Sequence, residues 1–446
     1  MRRHHFAVTQ FLTGLSATRW LRVILFVSVL LRVAAALYMG DRVTPLPGTY
    51  DQVTYDALAQ SLLAGRGFSF AKEWWPATPA NTPTAHWSFL YPLYLAAVYG
   101  LFGHHPLIAR LIQAVASGIL LPLLAFRVGR HVLGPKVGLI AAGLSAIYIY
   151  LVYYNAALVT ETFHTIAILW SLDIALELSQ RPTNRRWLEF GLALGIAALL
   201  RQVILVFVPV LFIWLLWAGH KHVRLRDLLI PTIVMVALIV PWTLRNYLVF
   251  HRFVLLNTNN GFAFFWANHP EHGTDFVLLF SNEKYAALIP QELRGLNEAE
   301  MSDALMQRGL GFVVEDPWRY FLLSLSRVKE LFKFWPSAGS SLISNLARVL
   351  SFGLALPFIL HGLFLSRSRW RQCLLLYLFI AAYSLVYLLS WVQIRYRIPM
   401  DPVLLVFAGL SLSDLANRFA PWFSRLLPLF SQPSASAHCP TATKDI

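Results

Sequence analysis

A chain of 446 residues that is 57% hydrophobic and 13% charged falls far below the roughly 25% charged residues of a soluble domain. With a mean hydropathy of +0.57, this excludes an ordinary soluble globular protein and assigns most of the chain to lipid. The formal charge of +15 would suggest nucleic acid in a soluble protein, but the basic residues lie in short loops between apolar runs, so no nucleic-acid partner is expected. Two distant cysteines, Cys373 and Cys439, form neither a disulfide framework nor a zinc-type spacing.

In chain order, the basic start MRRHHFAVTQFLTGLSATRWLR leads into an apolar run followed by more membrane. It reads as a retained first helix and not as a cleaved signal peptide. Runs near 19–39, 106–126, 136–154, 157–178, 187–201, 202–218, 228–248, 343–365, 373–391 and 400–416 approach the length of a span. They predict an all-α polytopic membrane protein with about ten transmembrane helices. The 187–218 stretch is interrupted at Arg201-Gln202 and reads as two short helices with a polar tip, in preference to one long helix. Residues 88–102, short and Pro-bearing, read as interfacial or partly inserted.

Charge sets the orientation. Arg2, Arg3, Arg19 and Arg22 precede the first run, and alternate loops carry Arg127, Arg130 and Lys136; Arg181, Arg185 and Arg186; Lys221, Arg224 and Arg226; Arg367, Arg369 and Arg371; the tail carries Arg418, Arg425 and Lys444. Positive loops stay in the cytoplasm, so both termini are expected there, in an inner or plasma membrane. Segments 40–87 and 249–340 then fall outside. The second holds nine acids between Glu271 and Asp316 and is long for a plain connection, which points to a function. Its end, DPWRYFLLSLSRVKELFKFWP, alternates apolar and basic residues at helical spacing and predicts an amphipathic helix on the membrane surface. The expected organisation is a catalytic module over 1–248, an outer segment over 249–342, C-terminal spans over 343–416 and a cytoplasmic tail over 417–446.

This topology gathers ionisable groups on the outer face. Asp51 and Asp56 lie in the first outer loop, Glu161 follows Tyr153-Tyr154-Asn155, and Arg201 sits at the next outer tip. Arg245 and Asn246 close the following span, and Arg395 and Arg397 precede Asp401. Charge at membrane level is costly and usually functional, although a single boundary arginine can simply snorkel to water. Guanidinium groups bind phosphate bidentately. A carboxylate can take a proton from an attacking hydroxyl, and a second carboxylate, here Glu161, raises its pKa and can help orient the acceptor. These parts suffice for sugar transfer from a lipid-linked sugar phosphate.

Smaller signals have competing readings. Glu161 and His164 share a helix face and, with His86 or His269, could hold a divalent metal; plain packed histidines are the favoured reading, so no metal site is assigned. Asp56 is a second base or a helix cap, with capping favoured. Gly65 and Gly67 in AGRGF suit a helix-ending turn better than a phosphate loop. Arg32, inside the first span, pairs with an acid or lines a lipid groove. Asp173 and Glu177 are expected to face cytoplasmic water.

The stretch YDQVTYDALAQSLLAGRGFSF resembles the first outer loop of GT-C glycosyltransferases. The nearest group is the protein-mannosyltransferase-like one, which includes lipid A aminoarabinose transferases and rhizobial lipopolysaccharide core transferases. ALVTETFHTIAIL is similar to their second outer loop; LRQVIL, PWTLRNYLVFHRFVLLNTNNGFAFFWANHP and RYRIPMDP follow in matching order, over residues 20–415. The resemblance implies a GT-C fold, a polyprenyl-phosphate sugar donor, an extracytoplasmic glycolipid, polysaccharide or protein acceptor, and inverting displacement. Asp51 matches the catalytic acid of the first loop and Glu161 the acid of the second. Arg201, Arg245 and Arg395 or Arg397 become candidates for the donor phosphate. Tyr55, Asp56, His86, Asn246 and His269 are candidate substrate contacts. No cofactor is assigned, and a divalent metal stays open because some relatives carry one. Two departures stand out: Gln52 replaces an acid, and Trp87-Ser88-Phe89-Leu90-Tyr91-Pro92 replaces a Pro-Pro-Gly-Tyr-Pro type run near the acceptor. The rival reading is a transporter or flippase of lipid-linked sugars. Such a protein tends to show internal repeats and midplane charge, and this sequence shows neither.

Overall fold

The computed structural model describes residues 17–46, 49–278, 282–337 and 340–426. Arg2, Arg3 and Lys444, used above to orient the chain, lie outside these residues, as does most of the 417–446 tail. The helices are α1 (Ala17–Met39), α2 (Asp51–Leu63), α3 (Leu90–Phe102), α4 (Pro106–Leu133), α5 (Pro135–Ile147), α6 (Ile149–Ala156), α7 (Glu161–Leu178), α8 (Asn184–Leu200), α9 (Phe207–Ala218), α10 (Leu229–Phe250), α11 (Asn259–Asn268), α12 (Asn282–Ala287), α13 (Glu298–Glu315), α14 (Pro317–Leu331), α15 (Leu342–Arg348), α16 (Leu354–Ser366), α17 (Trp370–Leu389) and α18 (Asp401–Leu426). Among the described residues the only β structure is isolated bridges in the outer loop before α3.

Four helical stretches are long and apolar enough to cross a bilayer alone: α1, α4, Leu225–Phe250 and the continuous Leu342–Leu389. The pair α5 and α6 makes a fifth if taken as one span bent by 54°. This measure does not establish ten. Leu342–Leu389 contains two of the expected runs, α7 carries three carboxylates, and α8 and α9 are 17 and 12 residues long. The break between α8 and α9 falls at Arg201, as two short helices with a polar tip require; Arg201 is extended (φ −154, ψ 116) and a 3₁₀ turn, Gln202–Val206, follows. At 13 residues, α3 is too short to span.

Helix α1 packs on α4 and α5, α8 packs between α7 and α10, and α16 packs on α18. Close approach depends on glycine at the last of these: a Cβ at Gly362 would collide with the Phe407 carbonyl. Arg32 resolves its two sequence alternatives by taking neither. It is fully buried and donates to Ser28 Oγ (2.6 Å) and to the carbonyls of Ser145 and Ala146 (3.0 Å each). Those carbonyls end α5 at the bend, where a helix leaves acceptors unpaired.

The two long connecting segments, before α3 and after α10, are tied by a residue that sequence reading passed over. Glu298, at the start of α13, accepts from Thr84 Oγ1 (2.6 Å), Ala85 N (2.7 Å), Thr258 Oγ1 (2.7 Å) and Thr78 Oγ1 (3.3 Å). It thus clasps the loop before α3 to the segment after α10. Burial raises its carboxyl pKa even against these four donors. The expected amphipathic helix is α14: Trp318, Phe321 and Leu325 form an exposed apolar stripe, while Leu323, Arg327 and Leu331 are buried.

Candidate active site

Two carboxylates and two guanidinium groups converge at one end of the bundle. Asp51 opens α2 and Glu161 opens α7, so each anion sits in the first turn of a helix, where unpaired N–H groups favour negative charge. Arg201 projects from the break after α8, and Arg395 from the 3₁₀ turn Ile394–Arg397. Arg395 Nη1 bridges Asp51 Oδ2 (2.6 Å) and Glu161 Oε1 (3.1 Å), and Arg201 Nη1 reaches the same Glu161 oxygen (2.7 Å). The result is a chain of alternating charge, Asp51, Arg395, Glu161, Arg201. The Tyr396 ring lies under it, 4.7 Å from the Arg201 guanidinium carbon and 5.3 Å from that of Arg395. Tyr387 stacks on Tyr396 in turn (4.7 Å).

Exposure differs among the four. The Asp51 side chain is 25% exposed, Arg201 17%, Arg395 7% and Glu161 0%. Asp51 is therefore the carboxylate that a substrate can touch. Burial alone would raise its pKa, but the adjacent Arg395 charge and hydrogen bond hold it below the usual carboxylate range. Tyr55 is buried one turn later, edge-on to Tyr91 (5.3 Å), within electrostatic reach of all four charged groups; burial raises its phenol pKa. His86 is buried against Trp87 and Phe262, near Asp51. Burial pushes its imidazole down to about 3, so it is neutral.

Other sequence candidates are placed elsewhere. Arg397, two residues from Arg395, is fully buried, pairs with Asp401 (2.9 Å) and lies 3.6 Å from the centre of the Phe352 ring. A 3₁₀ turn advances 120° per residue, so the two arginines of RYR point apart, and Arg397 joins α18 to its surroundings. Arg245 donates to the Thr84 carbonyl (2.9 Å) over the Trp242 ring (4.7 Å), which anchors the first outer loop. Asn246 donates to the carbonyls of Val254 (3.2 Å) and Leu256 (3.0 Å), shaping the turn after α10. His269 accepts from Glu271 N (3.2 Å) and packs on Phe265 and Phe312 within the outer segment. Asp56 is not a helix cap: α2 begins at Asp51, and Asp56 accepts from Tyr99 Oη (2.7 Å) and Gln60 Nε2 (2.7 Å) and pairs with His104 (2.9 Å). Gln52, in place of an acid, accepts from buried Arg110 (3.2 Å). Sequence reading missed Tyr396, although it stands between the arginines it supports.

The residues considered for a metal do not converge on one. His164 has both ring nitrogens engaged, by the Ala197 carbonyl (3.1 Å) and Tyr383 Oη (3.2 Å), and Glu161 is held by two cations. Among the described residues, the His/Asp/Glu group whose ligand atoms do converge, within 4.8 Å, is His131, Asp173 and Glu177. It lies at the opposite end of α7 from Glu161. Its donor set is compatible with a divalent cation, but Arg127 and Arg186 already neutralise its carboxylates. Asp173 does not face water as expected; its side chain is 1% exposed, because α4 brings Arg127 against it (2.8 Å).

Known proteins point the same way. The family model for dolichyl-phosphate-mannose-protein mannosyltransferase matches residues 86–244. No curated protein matches the chain by sequence. The archaeal oligosaccharyltransferase AglB from Archaeoglobus fulgidus, solved with an inhibitory peptide and a dolichol-phosphate, is similar at 16% identity and TM-score 0.56, over 95% of this chain and 53% of that one. An Archaeoglobus fulgidus oligosaccharyltransferase in complex with Zn and sulfate aligns at 15% identity and TM-score 0.56, over 92% and 51%. ArnT from Cupriavidus metallidurans, bound to undecaprenyl phosphate, aligns at 17% identity and TM-score 0.52, over 93% and 63%. The chain thus spans about half the length of the archaeal enzymes and less than two thirds of ArnT. By these alignments the chain shares the all-helical fold of these proteins, and its residues 86–244 match the mannosyltransferase family model.

Proposed function

We propose that this protein is a glycosyltransferase that moves a sugar from a polyprenyl-phosphate donor to an extracytoplasmic acceptor by a single inverting displacement. The observation that carries this reading is the shared reach of Arg395, which touches both Asp51 and Glu161. Asp51, the accessible carboxylate, takes the proton of the acceptor as its nucleophile attacks the anomeric carbon. The bond from that carbon to the phosphate oxygen breaks on the opposite face, which inverts the centre. Arg201 and Arg395 stabilise the phosphate as its charge grows. Glu161, fully buried and paired with both arginines, acts by positioning them. Tyr55 and His86 supply neutral contacts beside the base. The reaction centre faces the extracytoplasmic side, with both termini in the cytoplasm.

The test is turnover of purified protein in detergent with a polyprenyl-phosphate sugar, the acceptor class being found by mass spectrometry of surface glycolipids and glycoproteins from cells with and without the protein. Product formed without a sealed membrane is the expected result. A surface glycome unchanged by loss of the protein would overturn the reading. Movement of lipid-linked sugar in vesicles with no product in detergent would establish the transporter alternative.

A further inference from the structure

A second polar cavity of about 400 Å³ opens beside the reaction centre without including its charged residues. One wall is the buried side of α14 and the turn after it, with Ser326, Lys329, Glu330 and Lys333; another is the start of the C-terminal helices, with Arg348; the two are bridged by Asp275 and Ile394. Its volume falls in the usual range for small-ligand pockets, about 300–1,000 Å³. Three cations face two acids, so the lining carries one excess positive charge.

Arg348 is the informative member. It is 3% exposed and, among the described residues, donates to the Trp335 carbonyl (3.0 Å) and Ser340 Oγ (3.2 Å). Its buried Nε has no acceptor among the described residues, and no carboxylate pairs with it. A buried guanidinium without an anion is costly. Arg32 and Arg327 also lack acids, but neither lines this cavity, and each is directed at backbone carbonyls. A π-turn, Val349–Gly353, follows Arg348 directly; such turns are frequent at functional sites. The Lys329–Asp275 pair (2.8 Å) is more than half exposed on both sides, and pairs of that kind exchange partners at little cost.

We propose that this cavity is a second anion site, separate from the Arg201–Arg395 pair, that takes the phosphate group of a phosphate ester. Arg348 supplies the buried fork, and Lys329 and Lys333 close on the outer oxygens. The site does not depend on the sugar-transfer reading. It adjoins that centre through Ile394, the neighbour of Arg395, and it shares α14 with that helix's exposed apolar stripe.

Binding is measured on the full chain with two probes: inorganic phosphate by calorimetry in detergent, and phosphatidic acid in phosphatidylcholine nanodiscs by native mass spectrometry. Saturable binding is expected for at least one probe. Measured in the Arg201→Ala background, which removes a donor-phosphate contact, binding should persist, and adding Lys329→Gln/Lys333→Gln should weaken it about tenfold or more, as loss of charge-assisted bonds implies. Binding of phosphatidic acid alone identifies a membrane source, and binding of phosphate alone a soluble one; both support the site. Because Arg348 also bonds the Trp335 carbonyl and Ser340 Oγ, Arg348→Gln can fail to fold; the lysine variant therefore carries the test, with Arg348→Lys expected to rescue only part of the affinity. Unchanged binding in the lysine variant, complete loss in Arg201→Ala, or no saturable binding of either probe overturns the proposal.

Discussion

The two ends of the helix bundle carry similar residues in opposite arrangements. At one end Asp51 is the most exposed member of its cluster, and the arginines are the more enclosed: Asp51 is 25% exposed against 7% for Arg395. At the other end Asp173 is 1% exposed, while its partner Arg127 is 29% and Arg186 is 34% exposed. There the arginines staple α4 and α8 to carboxylates on α7 and turn their remaining surface outward. An acid held in and arginines facing out make a structural clamp. An acid facing out over arginines held in makes a place where a proton can be taken and an anion received. Composition alone would not separate the two clusters; the direction of exposure does.

The sharpest way to break this contrast is one substitution at each end. Asp51→Asn keeps shape and removes basicity, so turnover should fall about 10²–10⁴-fold, the range of general base catalysis, with donor binding and melting temperature nearly unchanged. Asp51→Glu should recover little, because misplacing the base by about 1 Å can cost about 10²-fold. Asp173→Asn should do the reverse, lowering stability by about 1–3 kcal/mol, since its arginine partner is partly solvated, while kcat holds. Equal loss of turnover in both would erase the distinction.

Next in size is Glu161→Gln. If it positions both arginines, kcat/KM should fall about 10–10²-fold, since Gln keeps the contacts but loses the charge, a total cost of about 1.5–3 kcal/mol. A change confined to acceptor KM would instead return Glu161 to an acceptor role. Arg201→Ala should weaken donor binding about tenfold or more, and Arg201→Lys should restore only part, a point charge lacking the planar fork. Full affinity in the lysine variant would remove the bidentate contact.

The smallest effect is in pH. Arg395 outweighs burial and depresses the Asp51 pKa, so the stabilisation from their pairing is complete above the ordinary Asp value of about 3.9. It is lost only as pH falls through the depressed value. The acid limb of kcat/KM, which reports the free enzyme's base, should accordingly lie below about pH 4. It should move upward in Arg395→Gln. A limb that stays put would mean another group is titrating.

Much of this was legible in the sequence because the clustered charged residues stand at breaks in apolar runs. Arg201 interrupts 187–218, Glu161 begins a run, and RYR precedes the last one. What sequence could not supply was direction. Arg395 and Arg397 look alike until the 3₁₀ turn splays them, and Arg245 and Asn246 sit at a helix end yet face the loops they anchor. Nor could it supply distant partners. Glu298 was one of nine acids in its segment, and its donors at Thr84 and Ala85 stand more than 200 positions earlier. The bend at Tyr148 carries no proline or glycine to announce it.

The Glu298 clasp has a consequence for how such proteins diversify. Four donors from two segments on one carboxylate make those segments a single inherited part. A chimaera that imports only the loop before α3 from a relative would bring hydroxyls with no acid to meet. One that imports only the segment after α10 would bury an acid that keeps Thr258 and the backbone N–H at position 85 but loses both loop hydroxyls. Exchanges of specificity between relatives should therefore succeed only when both segments travel together.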